Sequence, residues 1–419
     1  MTIRFLFLSD HLMKIFDMWK AITMSVSGLG LLAGATFLQA QSPSGTETSV
    51  PVPAVAQPPV AEAANVSRGG RGGQALRSLE VLPDKKVTFR IRAPKATDVT
   101  ITGDWMAPNT PVKLIKDDQG VWSVTLGPLA SGIAIYNFTV DGMDIADPVN
   151  PRMKLRSSTS ASLLEVSGNG KELWEIQSVP HGRVELNYIP TKVLDDQTRE
   201  VRVYTPPGFD ARGTLQYPVV YLLHGNNDTA AGWTDVGRAH YILDNLIAQK
   251  KAVPMVVVMP WGHATPYGGP GNNTALFEKY LLEDVMPVID QTYRIAPGRD
   301  NRAIVGLSMG GGQSIAIGLA HLELFSSVGA FSASIPGDFE TRYKALLDNP
   351  ADTNSKIHTF YIGCGKLDNA FPRSQQLDTL LTALDIKHTF VASEGLHNFA
   401  NWRLYWGETA PLLFHEKSK

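Results

Sequence analysis

Ala303-Ile304-Val305-Gly306-Leu307-Ser308-Met309-Gly310-Gly311-Gly312-Gln313-Ser314 is the stretch from which the rest of the chain can be read. The apolar run Ala303–Val305 has the pattern of a buried strand. The run Gln313–Leu319 has the composition of a helix. Between them Ser308 stands in a G-x-S-x-G pattern, at a sharp turn from strand to helix. Side chains at the flanking positions would collide in so strained a turn, so glycines occupy them. The new helix aims its first N–H groups at the zone in front of the serine. This context predicts that Ser308 is a nucleophile.

Working outward, the chain from Arg183 onward alternates short apolar runs with helix-like stretches. The runs are Val219–Leu223, Met255–Met259, Ala303–Val305, Val328–Phe331 and Thr359–Ile362. The helical stretches are Ala239–Gln249, Leu276–Ile289, Gly311–Leu319 and Ser374–Leu384. Unbroken apolar strands between helices imply a mostly parallel sheet covered on both faces, the α/β-hydrolase architecture when a serine elbow sits within it. In that fold the acid and then the histidine follow the serine. Of His321, His358, His388, His397 and His415, His397 has the right place, in a loop after the apolar run Thr389–Val391 and before the last helical stretch. The others read as structural. Asp368 follows the run Thr359–Ile362 at a carboxyl strand end, where catalytic groups gather. Asp338 and Glu394 are its rivals. Cys364 reads as a packed strand residue. The oxyanion hole needs two fixed N–H groups. Met309 is expected to supply one and Asn226, in His224-Gly225-Asn226-Asn227, the other; His224 is expected to shape that loop.

The N-terminal part has a different grammar. Residues 1–40 run from Lys14 and Lys20 into an apolar stretch ending at Leu38-Gln39-Ala40, the layout of an export signal. Residues 41–78 hold Pro51, Pro53, Pro58, Pro59 and an Arg-Gly run, and read as a linker. Residues 79–166 alternate with period two between turn signals, as in Val87–Ile91, Val121–Leu126 and Ile135–Val140, and read as a small all-β immunoglobulin-like sandwich. Residues 167–182 form a second linker, and 183–419 the hydrolase domain.

Bulk properties narrow the function. The 419 residues carry a net charge of -2 with no block of like charge, so nucleic acid is not an expected partner. The single cysteine excludes an intrachain disulfide. No stable membrane insertion is expected once the signal is removed, and the location expected is secreted or periplasmic.

With these residues in view, the chain resembles the feruloyl esterases of the esterase D, or carbohydrate esterase 1, group. The resemblance is carried by Gly306-Leu307-Ser308-Met309-Gly310-Gly311-Gly312-Gln313-Ser314, Arg202-Val203-Tyr204-Thr205-Pro206-Pro207-Gly208-Phe209, Tyr221-Leu222-Leu223-His224-Gly225 and Gly363-Cys364-Gly365-Lys366-Leu367-Asp368. It implies a triad of Ser308, Asp368 and His397. Leu367 stands where the family usually has a small or polar residue. The β segment resembles carbohydrate-binding module 48 through Thr102-Gly103-Asp104-Trp105, Tyr136–Gly142 and Asp147-Pro148-Val149-Asn150. The implied substrate is a hydroxycinnamoyl ester on plant arabinoxylan, a polysaccharide or a small ester cut without metal or organic cofactor. Trp233 and Trp261, on loops after strand ends, are candidates to flank an aromatic acyl group, and Trp105 to stack on sugar. Acetyl-xylan esterase, siderophore-ester hydrolase, acyltransferase and a glycan-binding protein with an inactive hydrolase domain are the alternatives.

Overall fold

The structure is a computed structural model that describes residues 76–414 except Asp196. The export segment, residues 41–75 of the first linker and His415 lie outside the described residues.

Residues 80–166 form two antiparallel sheets. One runs Glu80–Val81, Val87–Arg92, Val121–Leu126, Ile115–Lys116. The other runs Val112–Lys113, Val99–Gly103, Gly132–Val140, Ser160–Val166, Met153–Leu155. Their inner faces meet over Val87, Phe89, Ile91, Ile101, Tyr136 and Phe138, all at 2% exposure or less. Alternation in each strand sends every second side chain into that shared core.

A third sheet contains β1 (Arg183–Pro190), β2 (Thr198–Thr205), β3 (Val219–Leu223), β4 (Val256–Pro260), β5 (Arg302–Leu307), β6 (Ser327–Phe331), β7 (Thr359–Gly365) and β8 (Thr389–Ser393). Their spatial order is β1-β2-β4-β3-β5-β6-β7-β8. β1 and β2 pair antiparallel, and β3 to β8 run parallel. All five residues of β3 are buried, as are all of β4 and β6, because helices cover both faces. Full burial of each Val, Leu or Ile contributes about 1.5–3 kcal/mol. The order reverses beside β3. Its carboxyl end and that of β5 therefore open a crevice at the switch point.

The helix expected across 276–289 is longer, from Asn273 to Thr292, and widens into a π-helical turn at Tyr280–Val285. Pro287 lies just beyond. It lacks an N–H to bond one turn back, and its ring crowds the carbonyl there, so the widened turn meets a local need.

The two regions share packing. Ile133 and Leu163 of the sandwich join Trp233, Trp402 and Trp406 in one buried cluster. Arg403, 6% exposed, donates to the carbonyls of Ile133 at 3.2 Å and Val236 at 2.9 Å. The connector 167–182 is also fastened. Asn245 donates from its side chain to the Leu173 and Glu175 carbonyls, and Trp174 is buried.

Candidate active site

Ser308 sits where β5 passes into the helix Met309–Ala320, with φ 53° and ψ -115°. This left-handed backbone is costly for a residue with a side chain, and neighbours hold it. Its N–H donates to the Phe331 carbonyl at 2.8 Å, and its carbonyl accepts from Ser334 and Gly312 at 3.1 and 3.0 Å. A Cβ on Gly306 would lie 2.4 Å from the Gly310 carbonyl, and one on Gly310 would lie 2.5 Å from the His224 carbonyl. Only glycine permits those approaches.

His397 lies in the loop after β8. Its Nε2 is 2.9 Å from Ser308 Oγ, and its Nδ1 is 2.9 Å from each carboxylate oxygen of Asp368. The compatible tautomer donates from Nδ1 to Asp368 and accepts at Nε2 from the serine hydroxyl. Asp368 follows β7 and is buried. Burial would raise its pKa, yet hydrogen bonds from His397, the Ala370 N–H at 2.8 Å and Ser332 outweigh it and hold the carboxyl below its ordinary range. The loops after β7 and β8 are tied together. The Lys366 and Leu367 N–H groups donate to the Ser393 and Gly395 carbonyls at 2.8 and 3.1 Å.

The loop after β3 completes the crevice. A Cβ on Gly225 would come within 2.7 Å of Leu307 and 3.3 Å of Ser308 Cβ, so that loop lies directly on the elbow. Asn226 lines the cleft beside Ser308. Met309 opens the helix after the elbow. His224 is buried between loops. Its Nδ1 donates to the Gly225 carbonyl, and its Nε2 accepts from the Gly262 N–H, both at 2.8 Å. Burial pushes its pKa down to about 4, so it is a neutral brace that links two loops.

The remaining titratable candidates are engaged elsewhere. His321 lies between Glu278 and Glu323, and His388 binds Asp378 and the Ile386 carbonyl. His358 stands 3.6 Å from Asp300. Asp338 pairs with Arg342 and Glu394 with Lys366 at the surface. Cys364 is buried, which pushes its thiol up to about 11 and suppresses the thiolate.

The aromatic expectations need correction. Trp233 does not face the cleft. It is 1% exposed, donates from Nε1 to the Leu223 carbonyl at 2.9 Å, and packs edge-on against Phe331 and Phe399. Its short helix, Gly232–Asp235, folds the ring back under the loop. Trp261 is half-buried past the end of β4 and is not among the residues lining the cleft. Trp105 stacks inward on Phe89, with centroids 5.7 Å apart, and belongs to the sandwich core.

The cleft, about 620 Å³, has a second wall made by the sandwich. Asp104, Met106, Ile135, Lys154 and Arg156 face Asn226, Ser308, Leu396 and His397 across it. Lys154 forms a buried ion pair with Asp228, two residues past Asn226, and Ser157 Oγ donates to the Asp228 carbonyl at 2.8 Å. Asn398, next to His397, donates to the Asp104 carbonyl at 2.9 Å. The sequence singled out none of these contacts, because they join positions 71 to 294 residues apart. The one local hint was the basic pair Lys154 and Arg156 in a short alternating stretch.

Comparison with known proteins fits this geometry. A family model described as esterase matches residues 192–405, half of the chain. An endo-1,4-beta-xylanase/feruloyl esterase from Xylanibacter ruminicola is 30% identical over 336 residues, covering 78% of this chain and 44% of that protein. An alignment of that length reaches beyond residues 183–419 into the β region. The chain spans about half the length of the curated relatives it matches. Among solved structures, the enterobactin esterase of Shigella flexneri superposes with TM-score 0.58 at 19% identity, over 79% of this chain and 94% of that one. A ferulic acid esterase from Anaeromyces mucronatus, solved with ferulic acid, superposes with TM-score 0.51 at 22% identity, over 59% and 96%. At such identities the likeness is one of fold.

Proposed function

The chain belongs to the esterase family, and from that premise we propose that it hydrolyses carboxylic esters through Ser308, with hydroxycinnamoyl esters of plant arabinoxylan as the favoured substrate. The observation that carries this is the continuous hydrogen-bonded chain from Ser308 Oγ through His397 to Asp368 at the floor of the cleft. His397 takes the hydroxyl proton as Ser308 attacks the ester carbonyl. The Met309 and Asn226 N–H groups receive the negative oxygen of the tetrahedral intermediate. Asp368 holds the imidazole in the required tautomer and stabilises the imidazolium. His397 then protonates the departing alcohol, and water repeats the sequence to free the acid and Ser308. The cleft is apolar along Leu307, Phe399 and Trp402, which suits an aromatic acyl group.

The substrate class is supported by the Xylanibacter ruminicola relative, whose name joins a xylanase to a feruloyl esterase. We also propose that the β region is a carbohydrate-binding module 48-like sandwich and that residues 1–40 direct export. A second reading, a catecholate siderophore ester as substrate, draws support from the Shigella flexneri fold, which matches more of this chain than the ferulic acid esterase does.

The test compares ferulate release from feruloylated arabinoxylan with acetate release from acetylated xylan, with Ser308→Ala as blank. Ferulate release that Ser308→Ala abolishes is expected. Acetate release alone would overturn the hydroxycinnamoyl assignment.

A further inference from the structure

Arg156 stands apart from every other charged group of the cleft. It comes from the sandwich, lies half-buried, and lines the same cleft as Ser308 and His397. Among the described residues its guanidinium makes no hydrogen bond or ion pair, although it carries five donors. Burial draws its pKa below the ordinary value, while Asp228, Asp104, Asp144 and Tyr267 pull the other way from a distance. The two carboxylates that pull most act without a hydrogen bond or ion pair to Arg156. Asp228 is held by Lys154 and by the Thr229 N–H at 2.7 Å. Burial pushes the Asp104 carboxyl up to about 7, and Arg403 also acts on it, so it offers Arg156 only part of a charge at neutral pH. A half-desolvated guanidinium without a contact partner is costly, and the planar pair of oxygens of a carboxylate relieves that cost best.

Resting on the ester-hydrolase reading above, we propose that Arg156 forms a carboxylate-binding subsite, so that the cleft favours esters carrying a second, ionised carboxyl group. That carboxylate lies either on the glycan, as a uronate, or on the acyl part, as in a coupled dimer of hydroxycinnamates with one free acid. Asn226 and Asn227 on the facing wall add neutral polar groups at the same cleft. The sandwich thereby contributes to specificity through a charge in the cleft, and not through Trp105, which stacks inward on Phe89.

Two matched substrate pairs separate the sources. The first is a feruloylated oligosaccharide bearing glucuronate and the same oligosaccharide bearing glucose. The second is a monoester of a coupled hydroxycinnamate dimer whose second acid is free, and the same monoester with that second acid converted to an amide. The carboxylate member of at least one pair is expected to have kcat/KM about tenfold or more above its neutral partner, the size of one charge-assisted contact. Arg156→Gln brings that ratio to near unity, and Arg156→Lys keeps part of it. Circular dichroism checks that both variants are folded. Ratios near unity for both pairs in the unaltered protein, or a ratio that survives in Arg156→Gln, would overturn the subsite. Failure of the unaltered protein to cleave any of the four esters would instead overturn the ester-hydrolase reading.

Discussion

The hydrolase wall of the cleft keeps its chemistry within one sheet, with Ser308, His397 and Asp368 on loops after β5, β8 and β7 and hydrogen-bonded to one another. Among the described residues the sandwich wall holds no serine–histidine–acid chain. It reaches across with Lys154, Ser157 and the Asp104 carbonyl, and fastens the loops that carry Asn226 and His397. In the proposed reaction one wall therefore supplies the reacting groups, and the other sets the shape and charge of the space around them. An appended module that only tethers an enzyme would share neither a core cluster nor a cleft with it; this sandwich shares both.

The largest effect should come from the hydrolase wall. His397→Ala is expected to lower kcat/KM on methyl ferulate by about four to six orders of magnitude, with the thermal midpoint little changed. Asp368→Asn should cost about 10⁴ in kcat, because the wrong tautomer is then favoured. Steady-state kinetics on the two variants checks both values, and a loss below tenfold in either would detach that residue from the reaction.

The next test breaks the joint. Lys154→Met leaves the buried Asp228 carboxylate without its partner and should destabilise the protein by about 3–5 kcal/mol. Lys154→Met combined with Asp228→Asn should recover much of that, since no charge is then stranded. Urea denaturation of the unaltered protein, the single variant and the double variant decides the point. Equal losses in both variants would show that the ion pair does not couple the walls.

A smaller effect concerns His224. The imidazole has an ordinary pKa of 6.5 and is lowered to about 4 in the folded chain. Between those values the unfolded chain binds more protons than the folded one, so stability falls as pH drops from about 6.5 to about 4. This group accounts for up to roughly 3 kcal/mol of that fall. Denaturant midpoints across the window should decline less steeply in His224→Gln, and an unchanged slope would remove His224 as the cause. The smallest effect is on Trp233→Phe, which loses the bond to the Leu223 carbonyl and should cost about 1–3 kcal/mol of stability with KM unchanged. A KM that rises several-fold while stability holds would return Trp233 to the cleft.

Much of the hydrolase wall was legible in the sequence because its chemistry is local. The turn at Ser308 needs Gly306 and Gly310 on either side, and a buried strand and a helix must flank it, so one short stretch carries the whole geometry. Asp368 and His397 each follow a short apolar run, and a parallel sheet brings such ends together. The sandwich wall was not legible. Lys154 meets Asp228 and Asp104 meets Asn398 only once two separately patterned regions dock, and no spacing along the chain encodes that. The tryptophans misled for a related reason. A loop position after a strand end fits either a ligand contact or a ring folded under the loop, and the Trp233 indole took the second course by finding the Leu223 carbonyl.

The most direct measurement is covalent capture of the nucleophile. The protein is mixed with a fluorophosphonate or slowly deacylating ester, and the adduct is located by peptide mass mapping. A single adduct on Ser308, lost in His397→Ala, is the predicted result. An adduct on any other residue, or none on Ser308, would contradict the assignment on which both walls of the cleft depend.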